Sequence, residues 1–170
     1  MIIKLDFSHD GYKRDNLAFY LLLINVNQVA PHLALVLGNN YFSLSVKGIS
    51  NAVSFDSKLE SMKRKKLPLV LFKLQKNVPE DGLFRIITYH FSKLSPLKGD
   101  GITCLHPIKA SLEEIYKFES GAEVVADLLL ELEKLSIIDS VESINLKEDI
   151  FTLKPYQLED VQRQIAQKLI

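Results

Sequence analysis

The sequence predicts an α+β protein, with a mixed or mainly antiparallel sheet from the N-terminal half and helices gathered in the C-terminal half. Three observations carry this. Apolar runs of strand length, bounded by turn residues, fill residues 1–90. Helix-period stripes dominate after Pro107. Strands and helices are segregated along the chain, which argues against a doubly wound parallel sheet. The chain has 170 residues, 47% hydrophobic and 25% charged. That is ordinary globular composition, and one domain over 1–170 is expected.

Ile3, Leu5 and Phe7 alternate with Lys4 and Asp6, the period of a strand, and Asp10-Gly11 marks a turn. Leu17 to Ile24 is continuously apolar, so a buried strand and a buried helix both fit. Leu33–Leu37 and Tyr41–Val46 flank Gly38-Asn39-Asn40 and read as a hairpin. Phe55–Lys66 reads as a helix, capped by Asp56 or Ser57, with Lys63-Arg64-Lys65-Lys66 complementing the dipole of its last turn. Leu69–Leu74 is the next strand. Leu83–Phe91 fits strand or helix, and 98–101 is a loop. Ser111 and Glu114 match a capping box, as do Ser120 and Glu123, so helices are expected near 111–118 and 121–136. Ile144, Leu146, Ile150 and Leu153 suggest short extended pieces. Pro155 suits the first turn of a last helix over 155–169, with Leu158, Val161, Ile165 and Leu169 facing inward.

The net charge is zero, from 21 Lys+Arg against 21 Asp+Glu. This argues against a nucleic-acid partner held by bulk electrostatics. The balance hides a separation: residues 1–85 hold 12 basic and 7 acidic residues, and residues 86–170 hold 9 and 14. No 18-residue apolar span occurs, so no membrane helix is expected. The start, Met1 to Asp6, lacks a basic region leading into an apolar core, and a single Cys suits a reducing compartment, so a cytoplasmic location is expected.

Walker loops, dinucleotide glycine fingerprints, EF-hand loops and paired metal-histidine helices are missing from the sequence, and no cofactor or metal site is implied. Cys104 stands just ahead of a predicted helix. A helix N-terminus lowers a thiol's pKa and favours the nucleophilic thiolate, while a buried small hydrophobe is the alternative. His32 opens the strand Leu33–Leu37, as a base for such a thiol or as a satisfied turn histidine. His106, two residues from Cys104, points away from it and suits a cap or the surface. His9 and His90 have no acidic or Cys neighbour in sequence. Lys63–Lys66 fits an anionic partner or, preferably, a solvated helix end. Glu113, Glu114, Glu131 and Glu133 read as solvated faces and caps.

His32-Leu33-Ala34-Leu35-Val36-Leu37-Gly38, followed by Thr103-Cys104-Leu105 ahead of a helix, resembles the circularly permuted papain-like hydrolases. These include lecithin retinol acyltransferase-like proteins and permuted relatives of NlpC-type cell-wall peptidases. In that family a His opens a strand ending in Gly, and the nucleophilic Cys comes later, at a helix N-terminus. The resemblance implies His32 as general base and Cys104 as nucleophile of an acyl-enzyme mechanism, with Ser43 or Ser45 as the polar residue that orients the His. Thr103 stands where the family has Asn, and Leu105-His106 follow where it has an acidic residue or His. A second expectation is a non-enzymatic interaction or scaffold domain, self-associating as a homo-oligomer through its oppositely charged halves.

Overall fold

A computed structural model describes residues 2–4, 17–97, 101–146 and 150–169. In chain order the elements are β1 (Ile2–Lys4), β2 (Phe19–Ile24), β3 (His32–Leu37), β4 (Asn40–Ser45), β5 (Gly48–Ser54), α1 (Phe55–Arg64), β6 (Leu69–Leu74), α2 (Glu80–Ser92), α3 (Leu105–Tyr116), α4 (Val125–Lys134), β7 (Ile138–Ile144), β8 (Ile150–Thr152) and α5 (Leu158–Leu169). Six strands form one antiparallel sheet in the order β5-β4-β3-β2-β6-β7, and β1 pairs with β8 apart from it. The expected α+β class holds, and the main sheet is wholly antiparallel.

The apolar run after Leu17 is the strand β2, central and buried along its whole length. Its residues alternate between two cores, as a pleated strand must. Phe19, Leu21 and Leu23 face a large cluster with Leu33, Leu35 and Leu37 of β3 and the inner stripes of α2, α3 and α4. Tyr20, Leu22 and Ile24 face a smaller cluster with Ala34 and Val36 of β3 and Phe55, Leu59 and Met62 of α1. Covering both faces explains why β2, β3 and β6 are almost continuously apolar.

The β3–β4 hairpin turns at Gly38-Asn39, with Gly38 at φ 56, a left-handed position that glycine enters without steric cost. The same turn captures the next helix. The Phe55 N–H donates to the Asn39 carbonyl at 2.8 Å, and the Asp56 N–H to Asn39 Oδ1 at 3.0 Å. Ser54 is the N-cap, accepting from the Ser57 N–H at 3.4 Å, in place of the expected Asp56 or Ser57.

Other expectations move. Residues 83–91 lie in the helix α2. The helix expected at 111–118 begins at Leu105, and Ser111 is buried inside it, its hydroxyl donating to the Pro107 carbonyl at 2.7 Å. Pro107 fits a first turn because its missing N–H has no intrahelical acceptor there. The helix expected from 121 begins at Val125, whose N–H donates to the Tyr156 hydroxyl at 3.2 Å. Ser120 instead donates its N–H to Glu113 and its hydroxyl to Glu131, so these carboxylates hold a loop. The last helix starts at Leu158, not Pro155, and Leu169 is exposed. The strand β5 was not anticipated, because GISNAVS is a half-buried edge with little apolar alternation. The Asp10-Gly11 turn and the strand positions Leu5 and Phe7 lie outside the described residues.

Asn39→Ala and Ser54→Ala should each cost about 1 kcal/mol in urea unfolding, the usual loss of a cap. Ser57→Ala, at the cap the sequence suggested, should stay within about 0.5 kcal/mol of the unaltered protein.

Candidate active site at the fork between β3 and β4

Strand β3 stays paired with β2 back to His32, opposite Ile24. Its pairing with β4 covers only Leu37/Asn40, Val36/Tyr41 and Leu35/Phe42. Strand β4 runs on with β5 as far as Ser45/Gly48, so the two hairpin strands part beyond Phe42. A bulge lies at that point: between the pairs Tyr41/Val53 and Ser43/Ser50, β5 carries an extra residue, with Ala52 at φ 55. Such a bulge bends the bulged strand and tightens its twist, which carries the β4–β5 ribbon away from β3.

The fork exposes backbone groups that a sheet would pair, and other segments take them. The Leu97 N–H donates to the Ser45 carbonyl at 3.3 Å. Along β3, alternate N–H groups point towards β4, and the one after Leu37 and Leu35 is that of Leu33. This N–H acts on the Cys104 sulfur and favours its thiolate. Cys104 is the half-buried N-cap of α3. The helix start is fixed by buried Thr103, whose Oγ1 accepts from the Leu105 N–H at 3.3 Å and whose carbonyl accepts from the His106 N–H at 3.2 Å. In return the Thr103 N–H donates to His106 Nδ1 at 3.0 Å. His106 therefore serves the cap.

His32 and Cys104 line one small cavity of about 80 Å³, with Ser45 and Leu97 on its wall and Gln164, Ile165 and Lys168 of α5 across it. No hydrogen bond joins the two. His32 belongs to the sheet face that α1 covers, whereas α3 covers the other, and the imidazole also lines a second cavity of about 380 Å³ beside α1. Ser43 and Ser45 share that second cavity with His32 but do not orient it. The buried Ser43 hydroxyl is bonded to the Tyr41 hydroxyl. Ser45 Oγ donates to the Gly48 carbonyl at 3.1 Å and accepts from the Lys47 N–H at 3.2 Å, locking the β4–β5 turn.

The electrostatics set a neutral resting pair. Burial, and then the Lys168 and Lys58 ammonium groups, push His32 down to about 4. Burial pushes the Cys104 thiol up, with the Leu33 N–H and Lys168 opposing. The activated thiolate expected from a helix N-terminus is thus outweighed by desolvation. Burial also raises Tyr41 to about 12, keeping it a phenol. The fork brings one thiol and one imidazole to the same small cavity and holds both uncharged.

Elsewhere, His90 meets a carboxylate that its sequence neighbours do not supply: Nε2 lies 2.8 Å from Glu114 Oε2, across the packed helices α2 and α3. Among the described residues no three His, Cys, Asp or Glu gather as a metal site, and no helix is long and apolar enough to cross a membrane. Gln164 and Lys168 were missed in the sequence, although with Val161 and Ile165 they form one helical stripe, readable from its three- and four-residue spacing. Comparison with protein-family models, with curated proteins and with solved structures finds no match.

Cys104 is the only cysteine, so alkylation reports on it alone. Its rate of reaction with iodoacetamide should rise with an inflection above the ordinary thiol value, and Lys168→Ala should move that inflection higher. The same change should raise the His32 pKa, read by imidazole NMR. Because the folded His32 titrates near 4 and the unfolded one near 6.5, the unfolded chain binds more protons between these values. Stability should therefore fall as pH drops through that window, and His32→Gln should flatten the fall.

Proposed function

We propose that the protein is a cysteine-dependent acyl hydrolase or acyltransferase, with Cys104 as nucleophile and His32 as general base. The reading rests above all on one observation: two residues 72 positions apart in sequence, the only cysteine and a strand-opening histidine, line the same cavity at a helix N-terminus. In this scheme His32 takes the proton from Sγ as sulfur attacks the acyl carbonyl carbon, and then gives it to the leaving group. Water or an acceptor hydroxyl or amine, deprotonated by His32, attacks the thioester and restores the thiol. The Leu33 and Cys104 N–H groups, which act on the thiol, would be the donors for the oxyanion, because the Leu105 and His106 N–H groups are taken by Thr103. The neutral resting pair fits an enzyme whose base strengthens when substrate displaces Lys168. Neither serine is assigned the orienting role, which departs from the family resemblance.

p-Nitrophenyl acetate should transfer one acetyl group to Cys104, detected by intact mass and peptide mapping. His32→Ala should slow this step about a hundredfold or more, the usual contribution of a general base. An acetylation rate unchanged in His32→Ala, or acetyl found on lysines alone, would defeat the proposal.

A second reading is favoured by where the charges fall. The basic residues Lys58, Lys63 and Arg64 ride on α1 with Lys65 and Lys66 directly after it, outnumbering Asp56 and Glu60 over one face of the sheet. Glu113, Glu114, Asp127, Glu131 and Glu133 ride on α3 and α4, over the other. Opposite faces of opposite sign suit head-to-tail self-association. Sedimentation should then show oligomers at low salt that dissociate at high salt; a monomer under both conditions would count against this reading.

A further inference from the structure

The second cavity beside His32 is built differently from the first. It lies between α1 and the outer ends of β3, β4 and β5, on the face away from Cys104, with a volume of about 380 Å³. Its charged lining residues are Lys47 from the β4–β5 turn, Lys58 from α1 and Lys65, the C-cap of α1, with no Asp or Glu among them. None of the three forms an ion pair with a described residue. Lys58 Nζ sits 5.6 Å from the centre of the Tyr41 ring, inside the cavity wall. Ser50 and Ser61 add hydroxyl donors, and His32 lies at the inner end.

Lys47, Lys58 and Lys65 line the one cavity, and the α1 carboxylates Asp56 and Glu60 are not part of its lining. A cavity of this kind is stabilised by an anion that all three can reach at once. Ammonium is a point-charge donor with freely rotating N–H groups, suited to a tetrahedral oxyanion, whereas planar carboxylates are matched best by guanidinium. We propose that this cavity binds a phosphate group carried by a small molecule or a lipid. Lys47, Lys58 and Lys65 would hold its charge, Ser50 and Ser61 would donate their hydroxyls to its oxygens, and His32 would sense it. The proposal does not depend on acyl chemistry at Cys104, because binding is read without turnover.

The groups facing His32 are Lys58 from α1, Lys168 from α5, Tyr41 from β4 and Cys104 from α3, and the only resting charges among them are positive. A phosphate dianion beside Lys58 offsets that field, so the imidazole becomes easier to protonate when the site fills.

The test is titration of the full chain with inorganic phosphate, followed by calorimetry and by the pH titration of the His32 imidazole. Saturable binding with an upward shift of the His32 pKa is expected, and Lys58→Gln/Lys65→Gln should weaken it at least about tenfold. Lys63→Gln/Arg64→Gln, on the same helix but outside the cavity, should retain it. Absence of binding, binding that leaves His32 unmoved, or equal loss in the two double variants would overturn the proposal. Flotation with phosphatidylcholine vesicles containing phosphatidic acid separates the sources. Capture of the protein that inorganic phosphate displaces assigns a lipid headgroup, and phosphate binding without capture assigns a soluble phosphate compound.

Discussion

The parting of β3 from β4 is the constraint on which the site depends. A hairpin that stayed zipped from Gly38 outward would pair Leu33 with β4 and close the sheet over the place where Cys104 now sits. The extra residue in β5, with Ala52 in a left-handed conformation, bends the outer ribbon at the point where pairing stops. An open ladder leaves backbone donors and acceptors that must find partners away from water. Leu97 satisfies Ser45, and the thiol at the start of α3 meets Leu33. The cavity is thus the space left where a sheet is interrupted and a helix end is fitted into the gap.

The rest of the fold keeps that interruption in place. Strand β2 is buried on both faces and binds β3 firmly on one side, so the fork opens only on the other. Asn39 ties the hairpin turn to α1 through two hydrogen bonds, so the ribbon and the helix that flanks the larger cavity are one unit. Thr103 and His106 hold the first turn of α3 reciprocally, which fixes Cys104 without using its own side chain as a cap. The last helix closes the small cavity with one buried side chain, Ile165, alongside half-buried Val161 and Gln164. Lys168 at its far end disfavours the His32 imidazolium and favours the Cys104 thiolate, so the position of α5 adjusts both groups together.

The sequence was most legible where one physical signal dominated. Apolar runs marked β3 and β6, and Gly38-Asn39 marked the hairpin, whereas the run from Leu17 to Ile24 fitted strand and helix alike until its pairing with β3 and β6 made it β2. Helix starts were less legible. Ser111 and Ser120 carried the capping pattern, yet one lies buried inside α3 and the other ties a loop to Glu113 and Glu131. Local pattern was overruled by long-range partners such as Tyr156, which accepts the first N–H of α4 from 31 residues away. At the site, His32 and Cys104 were legible as residue types in suitable positions. The raised thiol and the depressed imidazole were not, since they follow from burial at the fork and from Lys168, which the chain brings in last. The separation of basic and acidic residues was legible along the chain.

The most direct measurement uses the single thiol. Reaction with iodoacetate places one carboxylate on Cys104 and nowhere else among cysteines. If Cys104 and His32 share the small cavity, that carboxylate lies beside the imidazole, and its pKa, followed by NMR, should rise clearly from about 4. A His32 titration unchanged by carboxymethylation would show that the two groups do not meet, and would contradict the account of the fork as one chemical site.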